Sequence, residues 1–182
     1  MERDYKVAAQ LHLVRGAPLD VVLRGDKFDV AAVLKCFQTN MLSVFEAARV
    51  SQVLRGEQGR EFVQSAAAFA AGHLEDELQR MRRSVEPYGR ASWPMLTYLP
   101  FFWLPAEHMY LKPEKTVDFA TRVGHPFAEE YEPDPSAAVY RSLLELASVT
   151  AARVASLHPT AGSTYKASSG SLVTTAKRSF RT

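Results

Sequence analysis

The sequence predicts a mainly α protein folded as a single multi-helical domain, and three observations predict it. The chain has 182 residues, of which 47% are hydrophobic, a size and composition that suit one domain with its own core. Apolar residues recur at helical spacing in successive segments. Capping residues and glycines mark where those segments begin and end. We therefore assign residues 1–158 to one α-helical domain and residues 159–182 to a tail.

Helical periodicity begins at the N-terminus. Residues 1–24 predict one or two helices, with a break at residues 16–18, where a glycine and a proline stand close together. Residues 27–38 place four apolar side chains at i, i+3, i+4 and i+7, which predicts a helix that buries one stripe. Asp26 or Asp29 is available to cap this helix.

The next helical segments carry clear boundary signals. Ser43 and Glu46 form a Ser-x-x-Glu capping box, which predicts a helix that continues to a stop at Gly56. Residues 58–85 keep the helical spacing over a longer stretch. We expect Gly72 to bend or divide that stretch, because glycine weakens a helix interior.

The pattern changes between residues 93 and 113. Prolines at positions 94, 100, 105 and 113 predict short helical turns and extended pieces in place of a long regular helix. Residues 108–112 alternate apolar and polar side chains, which is typical of a short β-strand. The fold prediction therefore includes one short β element near residues 108–112.

Two further helices are predicted after this region. Pro113 is suited to the first turn of a helix, and Gly124 to its end. Asp134 and Pro135 predict the cap and first turn of a second helix. Its apolar stripe continues for about six turns and ends at Leu157.

The basic character of the chain belongs to its tail. The formal net charge is +2, and the pI is about 8.7. Residues 159–182 hold four cations and no acid, which leaves 18 basic against 20 acidic residues in the rest of the chain. Charge therefore gives little support for nucleic-acid binding.

Cysteine usage and hydropathy favour a soluble cytoplasmic protein. Cys36 is the single cysteine, so it has no internal disulfide partner. The N-terminal residues contain no apolar segment of signal type. The most apolar run, residues 93–104, is shorter than the ~20 residues that a membrane span needs. We expect no association with membranes.

Several phrases of the chain resemble a family of uncharacterised bacterial proteins. The resemblance spans residues 2 to about 158 and is most specific over residues 108–116. It implies that the family continues upstream of Glu2 and closes on the phrase Ile-Asp-Val-Gln-Ser-Phe-Ile-Trp, so that this chain is incomplete at both ends. The resemblance implies no known function. The phrases that carry it are residues 2–6, 39–40, 45–46, 93–94, 100–101, 108–116 and 140–145.

The tail has two interpretations. Reading residues 160–172 across their codons, with each third base joined to the next two, permits Gly-Trp-Ile-Asp-Val-Gln-Ser-Phe-Ile-Trp, which contains the closing phrase. We therefore expect that the reading frame shifts near residues 158–160 and that the tail is an out-of-frame translation. The alternative is a genuine disordered basic tail, which its serine, threonine and glycine content also supports.

The resemblance singles out five polar residues as a candidate catalytic set: Arg3, Asp4, Lys6, His108 and Lys112. In one cleft, the arginine and lysines could hold a phosphate or carboxylate while the histidine or aspartate moved a proton. In the alternative reading the first three pair at the surface, and the histidine is a hydrogen-bonded structural residue. Tyr5 and Asn40 are secondary members of this set.

Two other features permit chemistry but have plainer explanations. His73 with Asp76 and Glu77 has the i, i+3, i+4 spacing of a metal-ligand pair on one helix face, although a solvated charged helix has the same pattern. Cys36 could be a nucleophile, but it lies in no recognisable motif and reads equally as a small buried apolar residue. We predict no metal site.

Six aromatic side chains crowd one short window of the sequence. They could stack on bases or line a partner groove, or they could form a packed core. No Walker loop, dinucleotide glycine fingerprint, nucleophile elbow or His-Glu-x-x-His motif is present, so no cofactor is predicted. The aromatic residues are Trp93, Tyr98, Phe101, Phe102, Trp103 and Tyr110.

These observations lead to three hypotheses about function. The first is an interaction or regulatory module, with a protein partner or self-association through exposed apolar surface. The second is an enzyme or nucleic-acid-processing protein that uses the Arg/Asp/Lys/His set. The third is an inactive product of a frameshifted gene.

The frame hypothesis predicts a definite nucleotide sequence. We expect one alternative frame of the gene, read from codon 150 onward, to encode the apolar closing phrase. Sequencing the gene and translating all three frames tests this. If no frame encodes the phrase, the basic tail is a real feature of the protein.

Overall fold

The computed structural model describes the backbone of residues 2–157 and the side chains of residues 5–156. Within that part of the chain the fold is a single mainly α domain with no strand, which confirms the predicted class. The predicted tail, residues 159–182, lies outside the described residues. The helices are α1 (Glu2–Gly16), α2 (Leu19–Leu23), α3 (Val30–Cys36), α4 (Val44–Arg55), α5 (Gly59–Ala70), α6 (Leu74–Val85), α7 (Trp93–Trp103), α8 (Pro113–Val123), α9 (Phe127–Glu130) and α10 (Ala137–Leu157), with a 3-10 turn at Glu86–Tyr88.

The capping signals read from the sequence determine where α3 and α4 begin. The Asp29 carboxylate accepts a hydrogen bond from the Ala31 amide at 2.8 Å, so Asp29 is the cap of α3. This helix is shorter than the predicted 27–38. At α4, the Ser43 hydroxyl and the Glu46 side chain each bond the other residue's amide, which confirms the capping box.

Glycines end or divide the helices where the sequence indicated. The predicted segment 58–85 is split into α5 and α6 at Gly72, whose φ of +103° favours glycine. Gly124 caps the C-terminal end of α8, and its φ of +66° lies in the left-handed region. At the predicted break after α1, a Cβ on Gly16 would lie 2.1 Å from the Cβ of Ala32, so α1 and α3 pack closely there.

Helix α7 is buried on every side and corrects one prediction. The prolines were expected to preclude a long regular helix and to give short helical turns alternating with extended pieces. The structure instead has one 11-residue helix with Pro100 inside it, followed by a non-helical segment at residues 104–112. Pro94 lies in the first turn, where the missing N–H of proline costs no helical hydrogen bond. Pro100 removes one interior hydrogen bond. Apolar side chains surround the helix, and only Phe101 is part-exposed, so burial outweighs that loss.

The Tyr98 side chain joins α7 to the end of α3. Its hydroxyl donates to the Cys36 carbonyl at 2.7 Å and accepts from the Thr39 hydroxyl at 2.6 Å. Its ring stacks on Phe37, with 4.4 Å between centroids, and contacts Phe102. Burial raises the pKa of the Tyr98 hydroxyl, which therefore stays protonated and able to donate.

The two tryptophans of α7 tie its ends to other parts of the chain. The Trp93 indole donates to the Glu132 carbonyl at 2.8 Å. The Trp103 indole donates to the Ala17 carbonyl at 2.9 Å. The crowded aromatic window is therefore mainly core, because four of its six members are buried and the other two are part-buried.

The strand expected at residues 108–112 is wrong. His108 and Leu111 are buried while Met109 and Lys112 are exposed, so the side chains do not alternate between two faces. The Leu111 amide donates to the Thr97 hydroxyl at 3.0 Å, in place of a strand neighbour. The segment is an extended loop held against α7.

Helix α10 begins later than predicted. Asp134 is not its cap: both carboxylate oxygens accept from Arg82 at 2.8 Å. The Ser136 hydroxyl instead accepts from the Val139 amide at 3.3 Å. The helix is 21 residues long, and residues 151–156 at its end are all exposed. None of the helices in residues 2–157 combines the length and apolar character needed to cross a membrane.

Removing the Tyr98 hydroxyl is expected to destabilise the protein. Tyr98→Phe keeps the ring contacts but leaves the Cys36 carbonyl and the Thr39 hydroxyl without this partner, at a cost of about 2 kcal/mol in the free energy of unfolding. Urea denaturation followed by circular dichroism measures the change.

Tyr131→Phe is the matched control, because the Tyr131 hydroxyl has no hydrogen-bond partner among the described residues. Its effect should stay within about 0.5 kcal/mol. Equal effects of the two substitutions would contradict a special role for the Tyr98 hydroxyl.

Candidate functional site

The three members of the predicted polar set whose side chains are described, Lys6, His108 and Lys112, do not line one cleft. Lys112 is exposed and lines an open surface cleft. His108 is 6% exposed and lies in the core. Lys6 is half-buried on α1 and already has an interaction partner. Arg3 and Asp4 also lie on α1, and their side chains are outside the described part of the chain.

His108 holds three parts of the fold together. Its Nε2 is 3.0 Å from the Ala70 carbonyl, and its Nδ1 is 2.9 Å from the Tyr140 hydroxyl. Because a carbonyl only accepts, Nε2 carries the proton and Nδ1 accepts from Tyr140. Burial raises the pKa of Tyr140, which keeps that hydroxyl a donor. Both ring nitrogens are occupied inside the core, in agreement with the structural reading of this histidine.

The other candidate groups also have structural surroundings. Cys36 is fully buried, and burial raises the pKa of its thiol to about 12, so the thiolate needed for nucleophilic attack is not formed near neutral pH. His73 is exposed just before α6, and Glu77 pairs with Arg80 at 3.3 Å. Within the described residues, no three metal-ligating side chains are grouped closely enough to hold an ion.

The cleft that Lys112 lines is a broad concave surface of the described fold. Its cavity volume is about 690 Å³, and it is open to solvent. Four segments form its walls, and Asn40 of the secondary candidate set lies at one edge. These segments are residues 40–43 with the first half of α4, residues 90–94, residues 112–115, and the pair Tyr131 and Pro133.

Glu46 fixes one wall of this cleft to another. One carboxylate oxygen accepts from the Ser43 amide at 2.9 Å and from the Ser43 hydroxyl at 2.8 Å. The other accepts from the Ser92 hydroxyl at 2.5 Å. The capping box therefore also joins the start of α4 to the residue that precedes α7, and both oxygens of Glu46 are occupied.

Arg49, one turn further along α4, holds the turn before α7. Its Nε donates to the Tyr88 carbonyl at 3.2 Å, and a terminal nitrogen donates to the Arg90 carbonyl at 2.7 Å. Gly89 is required between them, because its φ is +125° and a Cβ there would lie 2.9 Å from the Arg49 Nε.

Positive charge remains in the cleft after these internal contacts are counted. Its lining includes four cations and two carboxylates, and Glu46 is already hydrogen-bonded to two serines. Lys112 and Lys115 form no ion pair within the described chain. Arg90 makes only a 3.8 Å contact with Asp134. The cleft is therefore suited to an anionic ligand.

Two apolar side chains in the first turn of α4 are exposed to solvent. Val44 is 83% exposed and Phe45 is 81% exposed, in the first turn of α4. They stand in the chain between Ser43 and Glu46, both of which line the cleft. An exposed aromatic beside a basic cleft is a common feature of protein-binding surfaces.

Comparison of the chain with protein-family models, with curated proteins and with solved structures gives no significant match in any of the three.

Sequence reasoning found part of this cleft. Lys112 and Asn40 were candidate residues, and the capping-box signal identified Glu46 as a helix cap. Arg49 and Arg90 were missed because no local pattern links them, and only the turn at residues 88–90 brings them together.

We expect His108 to be important for stability. His108→Ala leaves the Ala70 carbonyl and the Tyr140 hydroxyl without this partner and opens a cavity, which should lower the free energy of unfolding by about 2–4 kcal/mol. Chemical denaturation measures the loss. The exposed His73→Ala is the control, with an expected change within about 0.5 kcal/mol. A stable His108→Ala variant would remove the structural role assigned to this histidine.

Proposed function

We propose that the protein is an interaction module whose cleft binds an acidic segment of a partner protein. The observation that carries this proposal is the pair of exposed lysines, Lys112 and Lys115, which have no ion-pair partner in the described chain and face an open cleft. Val44 and Phe45, which stand in the chain between the cleft-lining residues Ser43 and Glu46, supply exposed apolar surface.

The two kinds of group have different roles in such an interaction. Lysines at the surface attract an acidic partner over a distance set by ionic strength, and so raise the association rate and favour acidic sequences. An aromatic anchor that becomes buried contributes most of the binding energy. The predicted ligand is therefore a segment that combines acidic residues with at least one large apolar residue.

The alternatives have less support in this geometry. An enzyme that uses the Arg/Asp/Lys/His set needs His108 to reach a substrate, but both of its ring nitrogens are hydrogen-bonded in the core. Nucleic acid has less support because residues 1–158 hold 18 basic against 20 acidic residues, without the excess of positive charge typical of nucleic-acid binding. The hypothesis of an inactive, frameshifted product concerns residues 158–182, which lie outside the described part of the chain.

A defined peptide tests the proposal. The probe is a fluorescein-labelled peptide of alternating glutamate and aspartate residues with one phenylalanine and one leucine, measured by fluorescence anisotropy. We expect it to bind, and we expect Lys112→Glu with Lys115→Glu to weaken its binding by about tenfold or more. Binding should also weaken when salt is raised from about 50 mM to about 300 mM.

Two controls make the result specific. A peptide with lysine in place of every acid should not bind. Lys27→Glu with Lys35→Glu changes the net charge of the protein by the same amount at exposed positions outside the cleft, and it should leave binding nearly unchanged. If the two double variants weaken binding equally, the attraction is a property of net charge and the cleft is not the site. Stronger binding of a single-stranded oligonucleotide than of the acidic peptide would instead favour the nucleic-acid alternative.

A further inference from the structure

A second, smaller cavity adjoins the basic cleft. Its volume is about 260 Å³, and it lies between the second half of α6 and the turn that precedes α7. Arg90 and Ala91 line both this cavity and the cleft, so the two concave surfaces meet at that turn. We call the cavity the arginine pocket, because Arg82, Arg83 and Arg90 all line it.

Arg82 belongs to the internal structure of the pocket. Its guanidinium donates to both carboxylate oxygens of Asp134 at 2.8 Å and to the Pro135 carbonyl at 3.0 Å. These bonds hold the segment before α10 against α6. Because the charge of Asp134 is compensated by a bidentate partner, this carboxylate adds little net negative charge to the pocket.

The other two arginines keep their guanidinium groups available. The side chain of Arg83 is exposed and forms no ion pair or hydrogen bond within the described residues. The side chain of Arg90 is 69% exposed, and its contact with Asp134, at 3.8 Å, is too long for a hydrogen bond. The Arg90 carbonyl is held by Arg49 at 2.7 Å, so the backbone of this residue is anchored while its side chain is free.

Glu86 is the carboxylate of the pocket that has no ion pair within residues 5–156. It is exposed, in the 3-10 turn that follows α6. Two available arginines therefore stand against one available carboxylate, and the pocket keeps a net positive charge. An exposed carboxylate of this kind weakens the binding of an anion only modestly.

Two free guanidinium groups beside one small pocket suit a phosphoryl group better than a carboxylate. A guanidinium is a planar fork that donates two parallel hydrogen bonds to phosphate oxygens. A phosphoserine carries a charge of about −1.5 to −2 at pH 7 and has three strong acceptor oxygens, so it can bind two arginines at once. The free cations at residues 112–115 of the cleft are lysines, which act as point charges and do not share this geometric preference.

We propose that the acidic segment bound by the cleft is phosphorylated, and that the arginine pocket binds its phosphoserine through Arg83 and Arg90. This inference rests on the proposed function, because the pocket adjoins the cleft that binds the segment. Since the two concave surfaces meet only along one turn, a phosphoserine at one end of the segment reaches the pocket and one at the other end does not. Phosphorylation of the partner then raises its affinity for this protein.

Fluorescence anisotropy with two sets of three labelled peptides tests the proposal. Each peptide is the acidic peptide described above with one added residue, which is serine, glutamate or phosphoserine, at the N-terminal end in one set and at the C-terminal end in the other. The measured quantity is the gain, defined as the Kd of the serine peptide divided by the Kd of the modified peptide. We expect phosphoserine to give a gain of about ten or more at one end only. Glutamate at either end should give a gain below about three.

Substitutions in the pocket should change this gain. Arg83→Gln with Arg90→Gln removes both free guanidinium groups and should lower the gain from phosphoserine to below about three. Glu86→Gln removes the opposing charge and should raise the gain about twofold. Because the gain compares two peptides on the same variant, any loss of binding that is common to both peptides cancels.

Arg15→Gln with Arg55→Gln is the matched control. Both arginines are exposed, form no ion pair within the described residues and line neither the cleft nor the arginine pocket. This double variant should keep the gain of the parent protein. All the substituted side chains are exposed, so each variant should also keep the thermal midpoint of the parent within about 2 °C.

The outcomes separate this inference from the proposed function. If the serine peptides bind and phosphoserine adds nothing at either end, the inference is overturned and the proposed function stands. If no peptide binds, both are overturned. An equal gain at both ends, or an equal loss of gain in the pocket and control variants, also overturns the inference, because the attraction would then follow net charge. Displacement of the phosphoserine peptide by about 1 mM inorganic phosphate would overturn it as well, since the pocket would then hold the free anion.

Discussion

The burial of α7 on every side is the constraint on which the rest of the structure depends. A helix with no exposed face gains from apolar burial, but every polar side-chain atom on it needs a partner inside the protein. Trp93, Thr97, Tyr98 and Trp103 meet this need with backbone groups outside α7. Each of these bonds fixes a loop against the helix, so α7 determines where the connecting segments lie.

The walls of the basic cleft follow from the same constraint. The Trp93 indole holds the carbonyl of Glu132, between two residues that line the cleft. The bond from the Leu111 amide to Thr97 places Lys112 at the opposite edge. Ser92, directly before α7, donates to one oxygen of Glu46 and so joins the start of α4 to the start of α7. The positions of these cleft walls thus follow from how α7 is anchored.

The sequence by itself determined the helical class and several helix boundaries. These depend on local chemistry: Asp29 caps α3, Ser43 and Glu46 form a capping box, and Gly72 and Gly124 end helices through their backbone freedom. Each signal acts within a few residues, so it can be recognised in the sequence without knowledge of the fold.

Only the tertiary structure decided the parts that depend on distant neighbours. Pro100 lies within a helix because the core surrounds α7. The free energy gained from that burial depends on residues distant in sequence, so local helix propensity does not predict it. Asp134 pairs with Arg82 and leaves the capping of α10 to Ser136. His108 has a structural role because its two ring nitrogens are hydrogen-bonded to the Ala70 carbonyl and the Tyr140 hydroxyl. Sequence spacing identifies a polar residue, but the partners that determine its role are brought to it by packing.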